Sequence, residues 1–99
     1  MMDNPNFYRI ASASVSGDAL RKAVEDGKNV TAFLYITGDF DYLPRCYVPM
    51  QISVELEKVA YAGDSKDAFT FTGTELEGNR EFFGFLDAKK DKGWLEYKL

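Results

Sequence analysis

Four carboxylates stand at spacings that invite chemistry: Asp39 and Asp41 in GDFDYLPR (38–45), and Glu55 and Glu57 in ISVELEKVAYA (52–62). Paired acids can share general acid and base roles at a glycosidic bond, or hold a hard cation. The Asp39/Asp41 pair lacks the further acids and the glycine of a calcium loop, where ~6 oxygens are needed, so a turn is the expected reading and no metal. Glu55 and Glu57 alternate along a strand and share one face, which reads as a solvated or binding surface rather than the floor of a cleft. The one thiol, Cys46, has Arg45 beside it. The chain holds no histidine, so the usual base for a nucleophile is missing. Cys46 therefore reads as a small buried side chain. No glycine-rich phosphate loop and no supporting Ser–Lys spacing is present. The expectation is a protein that is not an enzyme and carries no cofactor.

Binding is what remains. Asp39, Phe40, Asp41 and Tyr42 mix charge with aromatic surface in a loop, as partner-binding hot spots do, unless the rings tuck beneath the sheet. Gln51, Ser53, Glu55 and Glu57 line one strand face, which Glu75, Glu77 and Glu81 of neighbouring strands are expected to extend. Such an acidic face complements a basic cleft or imitates nucleic-acid phosphates. Lys89, Lys90 and Lys92 lie close to Trp94 and Tyr97, a pairing of cations with rings that suits phosphate and base. The five phenylalanines Phe69, Phe71, Phe82, Phe83 and Phe85 read as core, or as the lining of an apolar pocket.

The elements that must position these residues are mostly strands. From Val48 to Leu56 every even position is apolar, and from Val59 to Tyr61 the apolar set moves to odd numbers. A one-residue slip of this kind is the mark of a β-bulge, and it predicts one long bent strand over Cys46–Ala62 around which the others wrap. Pro49 cannot donate to a ladder, which places that end at an edge or irregularity.

Phe7–Val15 reads as a strand and Ser16–Gly27 as a short helix. Ser16 or Asp18 caps its start, Gly27 stops it, and Leu20 and Val24 face the sheet. Asn29–Thr37 is apolar on both faces, so it is expected to be central, with its second face covered by the helix or a partner. Turns at 63–67, 77–80 and 88–93 separate strands over Ala68–Thr74, Glu81–Asp87 and Trp94–Leu99. Gly84 among aromatics marks a place where the strand coils or admits a neighbour.

The fold expected is thus α+β: one short helix on a strongly bent antiparallel sheet or small, partly open barrel, in the order β-α-β-β-β-β-β. It occupies a single domain, 1–99, with 1–6 a loose arm. Small RNA-binding barrels and cystatin-type inhibitors have a similar element order, though no motif of either is present.

Twelve Lys and Arg against sixteen Asp and Glu give a net charge of −4, which disfavours general nucleic-acid binding. No basic, apolar leader and no run approaching ~18 apolar residues is present, so a cytoplasmic setting is expected. Together these readings point to a small acidic inhibitor, immunity or anti-defence factor of a phage or mobile element, acting by occupying a protein partner. Small acidic phage inhibitors and immunity proteins are similar in size and charge. The alternative is a barrel that binds single-stranded nucleic acid or a small apolar ligand. A homodimer through the two-sided strand at 30–36 or an uncovered edge at 94–99 is a third expectation.

Overall fold

In the computed structural model, residues 7–38 and 50–98 are described. Their elements are β1 (Phe7–Ala13), α1 (Gly17–Asp26), β2 (Val30–Gly38), β3 (Met50–Tyr61), β4 (Ala68–Glu75), β5 (Glu81–Asp87) and β6 (Lys92–Tyr97). The strands pair antiparallel in chain order, and β6 returns to β1, so the sheet is a closed barrel. The expectation of a partly open sheet is corrected here. The free edge expected at 94–99 does not exist over β6, because Leu95 pairs with Tyr8 on one side and Gly84 on the other. Closure satisfies backbone groups that an edge would leave open. Lys92 and Gly93, expected in a loop, open β6.

Two bulges bend the ladder. The slip at Glu57–Lys58 is present: register shifts between Glu57 and Ala60, and Lys58 adopts φ 50°. Before it Val54 and Leu56 face inward; after it Val59 and Tyr61 pack on the same core. A second bulge lies between Ile10 and Ser12 on β1. Without these bends a sheet of six strands would not roll up so tightly.

The interior is filled with side chains. Ile10, Leu34, Ile36, Val54, Leu56, Phe69, Phe82, Leu86 and Leu95 are all 2% exposed or less. Phe71 pairs with Gly84 and Gly73 with Phe82, so each ring has a glycine across the strand gap. A β-carbon on Gly73 would lie 2.6 Å from the Phe82 ring, and one on Gly84 would lie 2.9 Å from that of Phe71. The two rings meet edge to face, with centroids 6.3 Å apart. Phe83 and Phe85, expected in the core, alternate with these inward residues and so face outward.

α1 covers one mouth. Ser16 accepts from the Ala19 N–H at 3.1 Å, and Gly27 at φ 68° ends the helix with its N–H on the Ala23 carbonyl. Ten residues are too few for a stable isolated helix. Leu20, fully buried in the barrel core, ties it down and contributes about 2 kcal/mol. Arg21 reaches across to Asp67 at 3.0 Å. No described helix is long and apolar enough to cross a membrane.

Two outcomes are expected. Gly84→Ala drives a methyl group between the Phe71 ring and the Trp94 carbonyl, and thermal or urea unfolding should show a loss of about 2 kcal/mol or more. Lys58→Gly relieves a left-handed backbone at an exposed position and should raise stability by about 1 kcal/mol in the same assay.

Candidate functional site

The mouth opposite α1 is polar. Glu75 ends β4 on the inward parity of Phe69, Phe71 and Gly73, so its carboxylate enters the barrel rather than joining the outer acidic face. That corrects the expectation for this residue. A buried carboxylate needs partners. The β4–β5 turn supplies one: Gly78 at φ 91° and Asn79 at φ 59° fold the chain back so that Arg80 faces Glu75. The guanidinium donates from Nε to Oε2 and from Nη2 to Oε1, both at 3.1 Å. The Tyr97 hydroxyl donates to the same Oε1. Arg80 also lies over the Tyr97 ring, 4.1 Å from its centroid.

Burial raises the Tyr97 phenol well above its usual value, and the hydrogen bond to Glu75 and that group's charge raise it further. Tyr97 was expected beside the lysines as a stacking ring; the structure buries it at 5% exposure instead.

Outside this buried group lies a cleft of about 290 Å³, lined by Met50, Gln51, Ile52, Ser53, Glu75, Glu77 and Arg80. Around it the outer wall of β2 and β3 carries most of the exposed apolar surface. Phe33 at 45% and Tyr35 at 41% stand on this outer face, with Leu76 at 50% just beyond β4, while Met50, on the inward parity opposite Ile36, is 47% exposed at the mouth. These are four of the five large apolar side chains exposed among the described residues. Register explains the gathering. Phe33 pairs with Ser53 and Tyr35 with Gln51, while the Leu76 N–H donates to the Ser53 carbonyl at 2.9 Å. Small polar residues on β3 thus lie between large apolar ones on either side. Among the described residues neither α1 nor another element covers Phe33 and Tyr35, so of the two expected covers, helix or partner, α1 is not the one.

Glu55 and Glu57 sit on this wall as expected. Thr31, Glu55, Thr74 and Glu81 form one row across β2 to β5, and Glu57 lies opposite Thr72. Asn29 donates to Glu55 at 2.7 Å and Thr74 to Glu57 at 3.3 Å, which fixes both side chains. Glu77 is exposed in the turn, and Glu81 lies 3.6 Å from Lys98. Asp39, Phe40, Asp41 and Tyr42 lie outside the described residues, as do Arg45 and Cys46.

Sequence reasoning missed Leu76 and Met50 as exposed surface, and read Phe33 and Tyr35 as a second face under the helix or a partner. It also missed Arg80 and Tyr97 as partners of Glu75. One signal was available: Glu75 shares the parity of Phe69 and Phe71, and the only side chain near enough in sequence to neutralise it across the turn is Arg80.

Comparison with known proteins finds no matching family model, no matching curated protein and no matching solved structure.

The Tyr97 shift fixes a pH dependence. Its folded value lies above the unfolded one, near 10, so the stability it contributes is complete below about pH 10. Above that the unfolded chain ionises first and stability falls as pH rises toward the folded value. Ultraviolet titration should show one tyrosine that ionises only as the barrel unfolds, and Tyr97→Phe should remove that late step at a cost of about 1–2 kcal/mol in urea.

Proposed function

We propose that this protein is a binding module that occupies the surface of a protein partner through the outer wall of β2 and β3. The observation that carries this reading is the exposure of Phe33, Tyr35 and Leu76 on the outer face beside a cleft lined by Met50, Glu77 and Arg80, with Glu55 and Glu57 on the same outer face. Exposed aromatic and aliphatic anchors supply burial on association, and an excess of carboxylates over the one cation among the described cleft residues, Arg80, favours a partner of opposite charge. Because Glu55 and Glu57 are held by Asn29 and Thr74, the carboxylates are already ordered before contact, so less entropy is lost on docking.

The partner is a protein with an apolar groove flanked by lysine or arginine. Inhibition by occupancy, in the cytoplasm and on behalf of a phage or mobile element, is the concrete form of the proposal. No catalytic role is assigned to the Glu75–Arg80–Tyr97 group; its bonds close one end of the barrel.

The test is capture from host lysate by three proteins in parallel: the natural chain, Phe33→Ala with Tyr35→Ala, and Glu55→Lys with Glu57→Lys. A single protein retained by the natural chain, released by salt, should be lost to both variants. The aromatic variant should weaken binding by about tenfold or more, mainly through faster dissociation. The charge variant should slow association and flatten its salt dependence. Equal retention by all three would overturn the reading.

A further inference from the structure

The wall opposite the β2–β3 patch has a different character. Register places Thr37, Arg9, Trp94, Phe85 and Thr70 in one outward row across β2, β1, β6, β5 and β4. In the next row Phe7 and Phe83 flank Glu96. The rings already associate: Phe7 stacks on Trp94 at 5.8 Å and 24°, and Phe83 meets Trp94 edge-on at 6.2 Å. Phe83 remains 39% exposed.

Next to this aromatic row is a cleft of about 180 Å³ lined by Arg9, Ile10, Ala11, Thr37, Lys92 and Gly93. It arises from backbone, not from side chains. Ala11 is the residue added by the β1 bulge, and Gly93 allows β6 to lie so close that a β-carbon there would overlap the Phe85 carbonyl. Among the described residues its lining includes two cations, a hydroxyl and no carboxylate.

Charge on this wall departs from that of the whole chain. Among the described residues Arg9, Lys89, Lys90, Lys92 and Lys98 stand with four acids, Glu81, Asp87, Asp91 and Glu96, whereas the full chain is at −4. Two of those acids already hold partners, and Asp87 lies directly opposite Lys92 across β5–β6. Asp87 accepts from the N–H groups of Lys89 and Lys90, at 3.0 and 3.2 Å, and Glu81 pairs with Lys98. Glu96 lies in the row beyond Trp94, away from the cleft.

From this juxtaposition we infer a second binding site: the β5–β6–β1 wall binds single-stranded nucleic acid, with bases on Trp94 and Phe85 and a phosphate between Arg9 and Lys92. Flat rings in a row suit unpaired bases, which offer their faces to any ring. A small cleft with two cations and a threonine suits one phosphate. A duplex hides its base faces and is not the ligand. This site is independent of the β2–β3 patch and of the protein partner proposed there.

Trp94 is the one tryptophan of the chain, so its emission reports the site directly. The probe is a thymidine oligomer of about ten nucleotides, titrated into the full chain at low salt. Saturable quenching is expected, with affinity falling as salt rises. Lys92→Glu, on an exposed side chain, should weaken binding about tenfold and reduce the salt slope by about one. Phe85→Ala should weaken it by a similar factor, with circular dichroism confirming the barrel. Unchanged Trp94 emission would overturn the inference. So would equal quenching by polyglutamate or duplex DNA, or equal affinity in Lys92→Glu.

Discussion

A six-stranded barrel has a narrow interior, and this one is filled with phenylalanine rings because glycines face them. Phe71 against Gly84 and Phe82 against Gly73 are reciprocal pairs on the same two strands. Each ring occupies space that a β-carbon would otherwise claim, so β4 and β5 can coil closely while the core keeps its volume. From there the rings continue edge to face through Phe82 and Tyr97 to Tyr8 on β1, at 6.2 and 5.6 Å. That chain of rings crosses the β6–β1 seam on the inside, where backbone pairing closes it on the outside. Burial of aromatic area and closure of the sheet are therefore one constraint seen twice.

Closure decides how the surface is used. With no edge left between β1 and β6, main-chain pairing is not available there as a route to a partner, and recognition falls to side chains on the outer walls. Outward residues divide into an acidic, aromatic wall on β2–β3 and a ring-bearing wall with local cations on β5–β6–β1. The two ends differ as well. Leu20 of α1 plugs one, and the Glu75–Arg80–Tyr97 group fills the other with satisfied polar atoms. A charged pair at this end costs less than it would deeper in the core, because Arg80 keeps 57% of its side chain in water while Glu75 keeps 7%.

Much of the fold was legible because it was written in periodicity. The helix announced both ends: Ser16 or Asp18 at the start, of which the structure uses Ser16, and Gly27 at the stop. The bulge at 57–58 showed as a change of apolar parity. The β1 bulge did not, since Ala11, Ser12, Ala13 and Ser14 have too little contrast in hydrophobicity to reveal a phase slip. Closure was not legible either: it depends on β1 meeting β6 across the length of the chain, and local patterns carry no such information. At the site, alternation placed Glu55 and Glu57 correctly. Glu75 was misplaced because a carboxylate on an inward parity was read by its charge rather than by its phase. Phe33 and Tyr35 were seen as a second apolar face, but only the position of α1 at the mouth shows that the helix does not cover them.

Residue-resolved amide exchange of the folded protein tests closure most directly. In a closed barrel each strand has a neighbour on both sides, so successive amides through Tyr8, Arg9 and Ile10 on β1, and through Leu95, Glu96 and Tyr97 on β6, should exchange as slowly as those of β3. An open sheet would leave every second amide along one of these strands unpaired. Fast exchange at alternate positions of β1 or β6 would contradict the barrel, and with it the division of its surface into two walls.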